Sequence, residues 1–188
     1  MLKLIIDILR YFFGKPSSVP DLPDVPHPVE QALNAEQGPP HLPDLNEDGI
    51  ELIKSFESCK LTAYRDIIGK WTIGWGYAGL EVSSGMVWNQ AQADSQLNTS
   101  LLEFSKQVES TIGTRFPLTD NQFSALVSFC YNCGSANLKT LVAGSDNVEH
   151  LGERITLYNK ARISGELVVV AGLARRRQAE QALFRRPL

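Results

Sequence analysis

The chain opens on MLKLIIDILRYFF, where only Lys3, Asp7 and Arg10 interrupt a run of apolar residues. Spaced i, i+4 and i+7, those three fall on one narrow stripe of a helix and leave Leu4, Ile5, Ile8, Leu9, Phe12 and Phe13 on the other faces. The run is too short to cross a bilayer, which needs about 20 apolar residues. It also lacks the small-residue cleavage site of a signal peptide. The pattern predicts an amphipathic apolar helix over residues 1–14 that lies at a membrane interface, docks on a protein partner or folds back on its own domain.

A different pattern follows. Eight of the ten prolines fall between Pro16 and Pro43, among acidic and polar residues with few large apolar ones. Such a stretch cannot bury enough surface to offset its ordering entropy, so residues 15–44 are expected to form a linker, semi-rigid and up to about 90 Å long. Globular periodicity begins at residue 45. Asn46 is placed to cap a helix with Glu47 and Asp48 in its first turn and Ile50, Ile53 and Phe56 on its buried stripe. After Glu57, Gly69, Gly74 and Gly76 punctuate β-branched and aromatic residues, and Trp71, Thr72, Ile73 and Trp75 predict a strand after a turn at Gly69-Lys70. Beyond Gly85 a helical period returns in Leu97, Leu101, Phe104, Val108 and Ile112. A T-x-x-Q capping box at Thr119 and Gln122 precedes Phe123, Leu126, Val127 and Cys130. Residues 171–184 read as a final helix. The expected domain, residues 45–188, is α+β: a mainly helical lobe, a small β-hairpin lobe and a cleft between them.

Charge narrows the classes. The formal net charge is −3, which argues against a nucleic-acid binder. Residues 1–44 carry the acidic excess, while arginines gather late at Arg175, Arg176, Arg177, Arg185 and Arg186. A basic end suits an acidic polymer or a solvated helix face. Three cysteines, Cys59, Cys130 and Cys133, are too few for a disulfide scaffold. Cys130-x-x-Cys133 lies in an apolar helical pattern, and neither His27 and His41 in the linker nor His150 completes a zinc set, so core packing is the expected role. No metal or cofactor is implied.

Candidate chemistry rests on two carboxyls. Glycosidic cleavage uses one protonated carboxyl to assist the leaving group and one ionised carboxylate to direct water or attack carbon. Glu57 ends the first buried stripe, and Phe56, Leu61 and Tyr64 can dry its surroundings, as a group that must hold its proton requires. Asp66 stands at the mouth of the β-element, where backbone donors can keep it ionised. A hairpin would return Thr72 beside it, placing a hydroxyl where it can hold a water.

The stretch Phe56-Glu57-Ser58-Cys59-Lys60-Leu61-Thr62-Ala63-Tyr64-Arg65-Asp66, with Gly69 and Thr72-Ile73-Gly74-Trp75-Gly76, resembles the signature of phage-type (T4-like) lysozymes and endolysins, glycoside hydrolase family 24. Thr119 to Phe129 is similar to that family's central helix, Tyr131-Asn132-Cys133-Gly134 to its cleft-lining run, and Gly172 to Glu180 to its closing G-L-x-R-R-R segment. The resemblance covers residues 45–188 and implies a lysozyme-like fold. It implies Glu57 as general acid, Asp66 as second carboxylate and Thr72 as its partner in positioning water. Tyr131 and Asn132 would then contact the sugar, and Arg175 would pair with the catalytic Glu. Two departures stand out: Tyr77 replaces the family's usual His, removing any ion pair built there, and Cys59 replaces an apolar residue.

The implied function is that of an endolysin. It would be made in the cytoplasm of a bacterial host and act on periplasmic peptidoglycan by hydrolysing the β-1,4 bond between N-acetylmuramic acid and N-acetylglucosamine. The alternatives are a lytic transglycosylase and a membrane-active protein whose N-terminal helix permeabilises lipid.

Overall fold

Asn46 starts the first helix as its residue type dictates. Its side chain accepts the Gly49 N–H at 3.0 Å, and Glu47 and Asp48 occupy the turn where the helix dipole favours negative charge. This helix, α1 (Glu47–Phe56), opens the described part of the computed structural model, which comprises residues 43–66, 69–163 and 165–187, without the side chain of Ile163. The chain divides into two units, Met1–His41 and Leu42–Leu188, of which only the second is described. The expected N-terminal helix, and the linker up to residue 42, lie outside the described residues.

From α1 the chain passes into β1 (Lys60–Arg65) and β2 (Trp71–Gly74), an antiparallel pair in the register Tyr64↔Thr72 and Arg65↔Trp71. Two long helices follow, α2 (Gln90–Ile112) and α3 (Asp120–Ala143), then α4 (Val148–Arg154) with a 3₁₀ turn at Ile155–Leu157. A second antiparallel hairpin, β3 (Lys160–Ile163) and β4 (Glu166–Val169), leads into the last helix, α5 (Ala171–Phe184). The domain is α+β, as the periodicity predicts. That periodicity did not reveal the second hairpin, whose strand β4 leaves Leu167, Val168 and Val169 exposed. Gly165, at φ 93°, marks its turn ahead of the β-branched run.

Capping chemistry sets the helix starts. Thr119 and Gln122 form the expected box, the Thr119 hydroxyl accepting from Gln122 N–H and the Gln122 side chain from Thr119 N–H. Asn89 and Gln92 build the same box at the start of α2, from an N-x-x-Q signal also present in the sequence. The first half of α3 is buried on nearly every side, from Phe123 to Cys130, and α1, α2 and α5 pack around it. Cys130 is fully buried there, and burial pushes its thiol up to about 11. All three cysteines are free thiols. At Gly134 the helix breaks: φ 79° and ψ 162° lie outside helical space, in a region that side-chain-bearing residues rarely enter. That break turns the chain just after Tyr131, Asn132 and Cys133.

The close approach of α1 to α3 depends on Gly49. A Cβ there would sit 2.6 Å from Ser124 Cβ and 2.9 Å from Leu45 Cδ1. Alanine would improve helix propensity by about 1 kcal/mol, but Ser124 Cβ is fixed to the α3 backbone and cannot swing away. Gly49→Ala is therefore expected to lower stability by about 1–3 kcal/mol through overpacking. Urea unfolding should show a lower midpoint with an unchanged slope.

Candidate active site

Glu57 is the residue at which α1 stops. Its backbone is extended (φ −105°, ψ 140°) while its N–H still bonds Ile53 and Lys54 carbonyls, so the side chain leaves the helix at a fixed point. It meets α5, where Arg176 Nη1 donates to Glu57 Oε1 at 2.5 Å. The Glu57 side chain is 23% exposed and that of Arg176 only 4%. The Arg176 guanidinium also lies over the Phe56 ring, 5.6 Å from its centroid. Behind it, Arg176 Nε donates to Glu180 Oε1 at 3.3 Å, and the same oxygen accepts from Arg177 Nη2 and the Ser128 hydroxyl, each at 2.8 Å. Glu180 and Arg177 are fully buried. Burial pushes Glu180 up to about 7, against the opposing pull of Arg177 and Arg176.

The expected partner of Glu57 is thus off by one position. Arg175 is exposed, on the rim of the groove, and Arg176 makes the ion pair. Three consecutive arginines are alike in type. Successive helical residues point about 100° apart, so the faces that pack on α1 and α3 bury Arg176 and Arg177 and decide that Arg176 is the one to reach Glu57. Arg176 and Glu180, one turn apart, share that face. The i, i+4 spacing was the signal that could have found it.

Asp66 follows β1 directly. Its N–H bonds the Lys70 carbonyl at 2.9 Å, and its Oδ1 accepts Lys70 N–H at 2.8 Å, so a backbone donor does reach the carboxylate. Because Tyr64 pairs with Thr72, and side chains alternate across a strand, Tyr64, Asp66 and Thr72 share one face of the hairpin. The opposite face carries Arg65 stacked over Trp71, 4.6 Å from the ring centroid. Thr72 is buried, and its hydroxyl donates to the Lys70 carbonyl at 3.2 Å. Tyr64 joins the two carboxyls electrostatically. Its phenol is pushed above the ordinary tyrosine range by burial, then by Glu57 and Asp66.

The hairpin is fastened to the helices next to Glu57. Tyr131 on α3 donates its hydroxyl to the Trp75 carbonyl at 2.6 Å and packs its ring on Phe104, with centroids 5.1 Å apart. Burial, with Glu57 adding to it, pushes that phenol up to about 12. Expected as a sugar contact, Tyr131 spends its one donor on this clamp. Trp75 Nε1 in turn donates to Asp94 on α2 at 2.7 Å. Gly76, at φ 95°, lies against the carboxyl: a Cβ there would come within 3.8 Å of Glu57 Oε2 and 3.9 Å of the Tyr131 hydroxyl. Tyr77 bridges back to Ile73 through the backbone, stacks on Trp88 and donates to Glu81 at 2.6 Å. A neutral-to-charged hydrogen bond therefore stands where the resemblance anticipates an ion pair.

Glu57, Asn132 and Arg175 line one open groove of about 520 Å³, with Phe56, Val170, Gly172, Leu173 and Arg176. Asn132 is exposed, and its carbonyl oxygen accepts from Arg177 Nη2 at 3.0 Å. A larger cavity, about 690 Å³, lies away from the carboxyls among Leu45, Ile50, Asn98 and Leu101.

The phage lysozyme family matches residues 54–180, which include Glu57, Asp66, Thr72, Tyr131 and the arginines of α5. The chain belongs to that family. It is 38% identical over 147 residues to the endolysin of Lactococcus phage c2, an alignment spanning 77% of this chain and 61% of that protein. The endolysin of Acyrthosiphon pisum secondary endosymbiont phage 1 is 33% identical over 146 residues, which cover 74% of this chain and 97% of its own length. Among solved structures, the muramidase domain of SpmX from Asticaccaulis excentricus superposes with a TM-score of 0.69 at 32% identity, covering 78% of this chain and all of that one. The phage lysozyme family assignment agrees with the resemblance read from three separated segments.

Removing Arg176 strands Glu57 and leaves the buried Glu180 with Arg177 and Ser128 alone. Arg176→Ala should cost about 3–5 kcal/mol, whereas Arg175→Ala, at an exposed position, should stay within about 0.5 kcal/mol of the unsubstituted protein. Denaturant melts of the two variants make the comparison.

Proposed function

We propose that the chain is a muramidase that hydrolyses the β-1,4 bond between N-acetylmuramic acid and N-acetylglucosamine in bacterial peptidoglycan, acting as an endolysin. Glu57 donates its proton to the departing glycosidic oxygen, while Asp66 takes a proton from the attacking water. The observation that supports this reading is the placement of Glu57 at the end of α1, lining an open groove, with Asp66 and Thr72 on one face of the hairpin that follows.

The roles follow from donor arithmetic. A hydroxyl has one proton and two lone pairs, and the Thr72 proton goes to the Lys70 carbonyl. Toward a water Thr72 can therefore only accept. Asp66, when ionised, also only accepts. A water giving one hydrogen to each keeps a lone pair for the anomeric carbon. Asp66 then removes the proton as the C–O bond forms, and the leaving group carries the proton of Glu57. Carboxyls about 6.5–9.5 Å apart leave room for that water and give inversion; the T4-like resemblance favours this outcome. Asn132 and Arg175 offer the sugar and its acidic substituents an amide and a cation at the groove rim. Action on the periplasmic wall of a bacterial host follows from the same reading.

Clearing of a purified peptidoglycan suspension tests it. Glu57→Gln should slow clearing by about 10²–10⁴-fold without loss of fold, and Asp66→Asn should also abolish most activity. Product mass separates hydrolysis from transglycosylation, because hydrolysis adds one water and the transglycosylase's anhydro product lacks it. Intact clearing by Glu57→Gln would remove the proposal. In both variants the Tyr64 phenol should titrate at lower pH than in the unsubstituted protein, because one of the carboxylates raising it has been neutralised. Ultraviolet titration of tyrosinate, with Tyr64→Phe as reference, reads that shift.

A further inference from the structure

An arginine 2.5 Å from a proton donor poses a problem, because a cation so close favours the carboxylate over the acid. Arg177, the next residue of α5, is fully buried and donates not to Glu57 but to Glu180 and Asn132. The buried anion shared by the two arginines is Glu180. Its Oε1 collects Arg176 Nε, Arg177 Nη2 and the Ser128 hydroxyl, while Arg176 reaches past it to Glu57 with Nη1. Arg176 is a fork with one carboxylate on each side, one solvent-accessible and one sealed.

We propose that Glu180 is a positioning residue for the proton transfer: as the buried counter-anion of Arg176 it holds that guanidinium in place, weakens its grip on the Glu57 carboxylate and extends activity to higher pH. This rests on Glu57 being the proton donor. The coupling is anti-cooperative. Burial pushes Glu180 up to about 7, so as the pH rises through that range Glu180 gains its charge and competes more strongly for the guanidinium that it shares with Glu57. The other groups near Glu57 are Tyr64 on β1 and Tyr131 on α3, both neutral there because their phenols are pushed above the usual range, with Arg175 in the same groove and Asp66 beyond Tyr64. Those facing Glu180 are Arg176 and Arg177 on α5, with Ser128 and the thiol of Cys133 on α3; burial pushes that thiol up as well. On the inner side of Arg176, the group whose charge changes across the neutral range is Glu180.

The test is the pH dependence of muropeptide release from purified peptidoglycan at low substrate, where the alkaline limb reports the acid in the free enzyme. In Glu180→Gln Arg176 faces Glu57 without its buried counter-anion, and the limb should move down by about one pH unit. Glu180→Asp, which keeps the charge, should hold it near its original place. A folded Glu180→Gln protein whose limb does not move, or whose activity drops equally at every pH, overturns the proposal. Should Glu180→Gln fail to fold, carbon-13 NMR of glutamate carboxyls in the unsubstituted protein decides instead, with Glu57→Gln identifying the Glu57 signal. A Glu57 curve with a second inflection at the Glu180 midpoint supports the coupling; a single-step curve overturns it. If the unsubstituted protein releases nothing from peptidoglycan, the muramidase reading fails, and the NMR titration still answers whether the two carboxyls are coupled.

Discussion

A guanidinium buried to the extent of Arg176 is tolerated only when anions and hydrogen bonds replace the water it has lost, and much of this domain follows from meeting that demand. Glu180 meets it from the inside and Glu57 from the cleft. The demand fixes more than the arginine. Glu180 requires Ser128 and Arg177, and Arg177 requires Asn132 and the face of the Phe129 ring, so α3 and α5 are locked at one register. A buried ionic network adds little net stability compared with an apolar core of the same shape, yet it punishes any displacement of its members. Here that penalty serves the cleft. The carboxyl of Glu57 is held at one end of a chain whose other end is sealed in the core.

The second carboxyl is fixed by different means. Asp66 belongs to a two-stranded hairpin, which alone would be marginal in water. Its attachment comes through side chains that are not themselves reactive: Tyr131 donating to the Trp75 carbonyl, and Trp75 donating to Asp94. Aromatic residues suit this task because each brings a large apolar surface and one directional donor. Gly76 lets the chain pass close to Glu57, at a φ that other residues avoid. Glu57 is therefore held by a buried ionic lock in the helices, and the hairpin that carries Asp66 by aromatic clamps.

Tyr77 shows how such a scaffold absorbs a substitution. Where the family pattern has His, the phenol stacks on Trp88 and bonds Glu81, tying down the turn after β2 without needing to be charged. That bond lowers the Glu81 carboxyl and raises the Tyr77 phenol, so the pair stays intact across neutral pH, where a histidine pair would titrate. The cysteines likewise follow their surroundings: Cys130 is sealed in the α3 core and Cys133 is half-buried beside Arg177.

Periodicity and capping determined the helices. Asn46, Thr119 and the spacing of Ile50, Ile53, Leu97, Leu101 and Phe123 act within a few residues of themselves, so no distant contact was needed to read them. That Asp66 and Thr72 share a face of the hairpin was equally legible, because the turn between them is local and its register is set within a few residues. The second hairpin escaped because its β4 residues stay exposed and carry no alternation. The choice among Arg175, Arg176 and Arg177 was only hinted at by the i, i+4 spacing of Arg176 and Glu180, and the use of Tyr131 as a clamp and the burial of Glu180 could not be read from the chain. Each depends on which face of a helix meets an element between 40 and 120 residues away, a fact that residue type alone does not carry and that only packing decides.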